Sequence, residues 1–215
     1  MNETNSTGSL NVVSHERLPD AIHYVFGVSF LIFDVAATSG NIAVLFVFFK
    51  SDQLRSANCF LVAALCFGDL LMSSVGLTML IISSFATHWI LGEKACTAYG
   101  TLMTFLGLSQ ITLLAAIAYT RYLLVVHNNC IRPLIAQIIA LSSYVYALGI
   151  SLAPILGWSV FVLEPIGTSC GPNWVGIDLE DISYNMTLLI ICFLVPFSII
   201  LFSYTNVYIK AGIES

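Results

Sequence analysis

Five uninterrupted apolar runs, each longer than a bilayer requires, constrain this chain more than any other feature. They cover residues 24–49, 60–85, 98–126, 134–158 and 184–209. A helix crosses the hydrocarbon core with about 20 apolar residues. Backbone N–H and C=O groups find no water there, so runs of this kind cross as helices. Membrane strands are shorter and alternate in polarity, which excludes a barrel. Composition agrees. Of the 215 residues, 58% are hydrophobic and 9% are charged, against about 25% charged in soluble domains. So few charges cannot cover a water-facing surface. The seven Lys and Arg form no basic patch, which argues against a nucleic-acid partner. The expected fold is an all-α membrane protein of five transmembrane helices, with membrane lipid as its solvent.

Cations set the orientation, because cytoplasmic loops are enriched in Lys and Arg. Lys50 and Arg55 flank the first loop, Arg121 and Arg132 flank the third, and Lys210 follows the fifth run. The opposite side holds Arg17 and Lys94 among seven acids, Glu164, Asp178, Glu180 and Asp181 included. The amino terminus is therefore expected outside and the carboxyl end in the cytoplasm. Two glycosylation sequons, at Asn2 and Asn5, agree with an outer tail. The start shows no basic segment followed by a short apolar core, so no cleaved signal peptide is expected. The expected organisation is an extracellular tail over 1–23, helices within 24–209, an outer connection at 159–183 and a cytoplasmic end at 210–215. A third sequon, at Asn185, abuts the fifth run and lies too near the membrane for use.

Charged groups inside a span are costly and mark function by default. Asp34, Asp69 and Arg121 qualify. Asn41 and Asp69 fall at similar depth on adjacent helices. They read either as a polar contact that fixes packing or as part of a proton or ion relay. Asp34 has no evident partner. Arg121, at the inner end of the third run, reads alone as a snorkelling anchor. Cys96 and Cys170 both face the oxidising side, where a bridge can persist; they read as a bridge or as two free thiols. Cys66 and Cys192 lie within spans and read as small apolar residues. Pro154 and Pro196 lie within helical runs, where proline kinks a helix. The four histidines are scattered and give no metal spacing.

Taken in order, these residues resemble the rhodopsin-like G-protein-coupled receptors. Gly40-Asn41 is similar to that family's first-span motif, and Leu61 to Asp69 to its second. Cys96 and Cys170 match its outer disulfide. Thr120-Arg121-Tyr122 resembles its Asp/Glu-Arg-Tyr motif with the acid replaced, and Pro196 followed by Tyr204 resembles its fifth span. Within the family, 154–158 and 164–171 resemble an animal opsin. The sequence Glu164-Pro165-Ile166-Gly167-Thr168 is most similar to the neuropsin, peropsin and retinal-isomerase branch.

The resemblance implies five helices of a seven-helix bundle, with retinal as cofactor and a heterotrimeric G protein as partner. Glu164 matches a counterion, since a carboxylate stabilises a nearby protonated imine; the alternative is a solvated loop carboxylate. Tyr99 stands where visual pigments carry their own counterion. Tyr99, Thr104, Gly107 and Leu108 would line the pocket from the third helix. Leu188, Cys192 and Phe193 would do so from the fifth. Thr120, Arg121, Tyr122 and Tyr204 would serve G-protein coupling. The departures are informative. Opsins hold retinal on a seventh-span Lys, and this sequence has no Lys within a span. A chain truncated after its fifth helix is expected, one that cannot form the pigment by the family route. Thr120 cannot pair with Arg121 as an acid would, which implies a weaker resting lock. Tyr144 replaces the usual Trp of the fourth span.

The expected function is a non-visual opsin-like photoreceptor in the cell membrane, with retention in the endoplasmic reticulum if the truncation is real. The alternatives are a retinal photoisomerase, or a non-signalling fragment that hetero-associates with other receptors. An amine receptor is disfavoured because Met103 stands where such receptors need an Asp.

Overall fold

A computed structural model of the chain describes residues 19–51 and 56–214. Asn2, Asn5, Arg17, Arg55 and most of the 1–23 tail lie outside the described residues. Five helices are long and apolar enough to cross a membrane: α1 (Asp20–Lys50), α2 (Ala57–Phe85), α3 (Gly92–His127), α4 (Pro133–Leu152) and α5 (Leu179–Ile213). All five expected spans are present, four of them longer than the apolar run and α4 shorter. Two short strands, β1 (Phe161–Leu163) and β2 (Cys170–Pro172), pair antiparallel in the α4–α5 connection. That hairpin is a departure from the all-helical expectation. A three-residue strand leaves no periodic signature in sequence.

α3 is the axis of the bundle and packs on α2, α4, α5 and the hairpin, whereas α1 packs chiefly along α2. Close approach relies on small residues, because lipid supplies no hydrophobic drive between helices. The buried face of α4 is Ala136, Ala140, Ser143, Ala147 and Ser151, one every third or fourth position. Ala136 and Ala140 meet Leu61, Leu113 and Ile117 in the central cluster. The Tyr144 hydroxyl fastens α4 to α2 by donating to the Ala64 carbonyl at 2.8 Å.

The fourth span is shorter than expected. It ends at Leu152, and residues 153–158 form turns. Pro154 therefore terminates this helix and does not kink it. Proline has no N–H to offer the Ile150 carbonyl. That carbonyl accepts instead from the Ala153 N–H and from the Tyr184 hydroxyl of α5, at 3.2 Å. Gly157, with φ +98°, then turns the chain away. The fifth helix, conversely, begins five residues before the expected start, and Glu180 and Asp181 occupy its first turn. Acidic residues suit a helix amino terminus, where unpaired N–H groups concentrate. Pro196 does lie inside its helix, directly after a π-helical stretch over Leu188–Leu194. Proline offers no N–H to the carbonyl four residues before it, and π-helical turns commonly accompany such sites. A second π-helical stretch, Met72–Leu77, interrupts α2.

Candidate functional site

Cys96, in the first turns of α3, is bonded to Cys170 of β2, with Cα atoms 5.4 Å apart. The bridge holds the hairpin across the outer ends of the helices. Two further contacts set its height. The Trp89 N–H donates to the Gly167 carbonyl at 2.7 Å. Phe161 of β1 lies so close to Gly100 that any Cβ there would meet its ring at 2.6 Å. Of the two readings that the cysteines allow, the bridge is the one realised.

Below the hairpin lies a cavity of about 710 Å³. Tyr99, Thr104, Gly107 and Leu108 line it from α3; Leu188, Cys192 and Phe193 line it from α5; Glu164 and Cys170 line it from the hairpin. The seven residues expected to line a pocket, and Glu164, thus border one space. They meet there because α3 presents two adjacent i, i+4 rows, Tyr99, Met103 and Gly107 beside Thr104 and Leu108, while the π-helical stretch carries the three positions of α5. The volume falls within the ~300–1,000 Å³ of small-molecule sites. A Cβ added at Gly107 would meet nothing within 4 Å, so this residue widens the cavity instead of easing a protein contact.

Glu164 is oriented by its neighbours. Its carboxylate accepts from the Ser169 hydroxyl, and its N–H donates to the Ser169 carbonyl at 2.9 Å. Gly171 leaves room for the carboxylate, since a Cβ there would meet Oε1 at 2.8 Å. Glu164 is half-buried at the edge of the cavity. Sequence reasoning missed Phe26 and Phe30 of α1, which also line the cavity, and Trp174, which follows β2. It missed Tyr146 as well, whose hydroxyl lies 3.0 Å from the Cys192 sulfur. Single aromatic residues in apolar helices give no signal of which face they occupy.

At the inner end, Thr120 is buried and its hydroxyl donates to the Ile117 carbonyl at 2.9 Å. Tyr122 packs on Phe202 of α5, with ring centroids 5.3 Å apart, and its hydroxyl meets His127 Nε2 at 2.9 Å. Arg121 borders a separate cavity of about 410 Å³ with Val47, Phe48 and Asn58. Tyr204 is exposed on α5. Asn41 and Asp69 are half-buried, and neither side chain makes a hydrogen bond among the described residues. A buried oxygen of Asp34 is unpartnered, as is the whole amide of Gln110, which lies against Gly68 beside Asp69. The side chain of Asn185 donates to the Asn173 carbonyl at 2.8 Å, which occupies the amide that a glycan would need.

Residues 40–212 match the sequence profile of the 7 transmembrane receptor (rhodopsin family). A melanopsin of Phodopus sungorus is 31% identical over 200 residues, which are 89% of this chain and 42% of the relative. A G0-coupled rhodopsin of Mizuhopecten yessoensis is 31% identical over 184 residues, covering 84% of this chain and 46% of the relative. The visual pigment-like receptor peropsin of Mus musculus is 28% identical over 188 residues, 86% of this chain and 56% of that protein. The likeness thus extends over several opsin types, peropsin among them. The crystal structure of squid rhodopsin superposes with a TM-score of 0.85 at 26% identity, over 94% of this chain and 60% of that one. The chain spans about half the length of these sequence relatives. It is a multi-pass membrane protein that belongs to the rhodopsin family of seven-transmembrane receptors, with its likeness running to the animal opsins.

Proposed function

We propose that this chain forms the retinal-binding part of an opsin-type light receptor of the cell membrane. One observation supports the reading above others: every residue that the opsin resemblance selects for a pocket borders the same cavity beneath the disulfide-held hairpin. Its wall is mainly apolar, with Tyr99, Thr104, Glu164 and Ser169 as polar points, as expected of a site for an elongated apolar ligand with one polar end. Retinal supplies light absorption and a light-driven change of double-bond geometry when bound.

This chain's residues supply the surroundings. Glu164 places a carboxyl group at the outer wall, the group that, ionised, stabilises a nearby cation. Gly107 gives the ligand access to the α3 backbone. Leu188, Cys192 and Phe193 close the far end. None of the chain's three lysines, Lys50, Lys94 and Lys210, lines the cavity, so binding by this chain is non-covalent. In this reading, Arg121, Tyr122 and Tyr204 face a heterotrimeric G protein at the inner end. Thr120 provides no acid to restrain Arg121.

The test is a titration of the chain in lipid nanodiscs with 11-cis-retinal. Tryptophan emission should fall saturably, with Trp174 in the cavity wall as energy donor. Gly107→Phe should remove the saturable component without unfolding the protein. Unsaturable quenching that is the same in both proteins overturns the reading. Extraction of the retinal after illumination distinguishes a photoisomerase, which would convert added all-trans isomer to 11-cis over many turnovers.

A further inference from the structure

Asp181, in the first turn of α5, is 5% exposed. Each of its carboxylate oxygens takes one hydrogen bond from a different segment. The Ser159 hydroxyl donates to Oδ1 at 2.6 Å and the Asn173 amide donates to Oδ2 at 2.6 Å. Nearby, the Trp158 indole N–H donates to the Ser183 hydroxyl at 2.8 Å. Gly176 fits between Asn173 and Asp181 only because it lacks a Cβ, which would meet the Asn173 amide nitrogen at 2.6 Å. One carboxylate thus clips together the turn that follows α4 and the segment that precedes α5.

The clip turns polar groups inward and apolar side chains outward. Val175, Ile177 and Leu179 are 82, 88 and 79% exposed, and Leu156 on the α4 side is 84% exposed. Ile155, Val160 and Trp174 are each exposed over about half their surface. Turns in water favour Gly, Pro, Asn, Asp and Ser, and a contiguous exposed apolar patch marks an interaction surface.

The occupant follows from continuity and charge. The patch reaches Leu179, the first residue of a helix long and apolar enough to cross a membrane, which puts it next to the outer membrane boundary. Part of the backbone has internal partners, as a poorly hydrated site favours. The Asn173 N–H donates to the Val160 carbonyl, the Gly176 N–H donates to the Asn173 carbonyl, and that carbonyl also accepts from Asn185. No Lys or Arg occurs between residues 133 and 209, whereas Asp178 and Glu180 flank the patch. Anionic headgroups therefore find no cation on these segments, and zwitterionic phospholipid fits.

We propose that residues 155–160 and 174–179 form an apolar collar that inserts into the outer leaflet among zwitterionic phospholipids, held in place by the Asp181 clip. The collar is independent of whether the cavity binds retinal. The probe is Ile177→Trp in phosphatidylcholine nanodiscs, with wild-type emission subtracted. Emission of the introduced tryptophan should be lost to lipid brominated near the headgroup end of the acyl chain, less to lipid brominated deep in the chain, and little to acrylamide in the water. Loss to acrylamide alone overturns the proposal, because the collar then lies in water. Protection from both quenchers that grows with protein-to-lipid ratio also overturns it, and identifies a contact between two copies. Ser159→Ala removes one strut of the clip and should shift quenching from lipid towards acrylamide; an unchanged profile overturns the role of the clip.

Discussion

At the residue scale, three glycines along the cavity illustrate how similar substitutions separate by what surrounds them. Gly100 lies under the Phe161 ring and Gly171 under the Glu164 carboxylate, whereas Gly107 faces open space. Alanine at Gly100 forces the hairpin off α3, and overpacking of this kind costs about 1–3 kcal/mol. Gly107→Ala should leave stability unchanged or raise it by up to about 1 kcal/mol through helix propensity. The larger Gly107→Leu should lower retinal affinity. Equilibrium unfolding in mixed micelles reads the first pair of effects, and retinal titration reads the last. A stability loss at Gly107 as large as that at Gly100 would show that the cavity is closed in solution. Gly107 was legible in sequence only as a position that the resemblance implies. Phe161 was not, because its role comes from a contact across 61 positions.

At the scale of elements, two helix ends are decided jointly. Pro154 withholds a donor from Ile150, and Tyr184 of α5 supplies one. Tyr184 is fully buried against Ala153 and Trp158. Tyr184→Phe keeps the packing and removes the hydrogen bond. It should destabilise the protein by about 0.6–2 kcal/mol, the range of interhelical hydrogen bonds in membranes, read by unfolding in mixed micelles. The hairpin depends similarly on Cys96–Cys170, which closes a sequence separation of 74 residues. Reduction should free the lid from α3 and abolish saturable retinal quenching while helical circular dichroism persists. Retained saturation after complete reduction would assign the lid to Phe161 and Trp89 alone. Hydropathy located the five spans and placed their ends poorly. Length is a local property of the run, whereas an end is set by which neighbour satisfies the last carbonyls.

At the scale of the whole molecule, the bundle sorts its thiols by depth. Cys66 and Cys192 are buried, Cys59 is half-buried, and Cys130 is exposed in the turn between α3 and α4. The charge rule places that turn in the cytoplasm. A membrane-impermeant maleimide should therefore leave sealed cells unlabelled, and should label Cys130 first after permeabilisation. Labelling of Cys130 from outside would invert the orientation and, with it, the outer collar. The same bundle brings Tyr122 of α3 against Phe202 of α5 and leaves Arg121 beside the α1–α2 cavity.

The sequence by itself determined the number and order of the spans, because apolar length and charge position act on each segment separately. Through its resemblance to opsins it also specified the bridged cysteines and the residues that share the cavity. The tertiary structure alone decided where α4 stops, that a hairpin forms beneath the outer surface, and that Asp181 joins two distant segments. Those outcomes rest on hydrogen bonds and contacts between residues far apart in the chain, and no local pattern encodes which partner a buried polar group will find once the helices have packed.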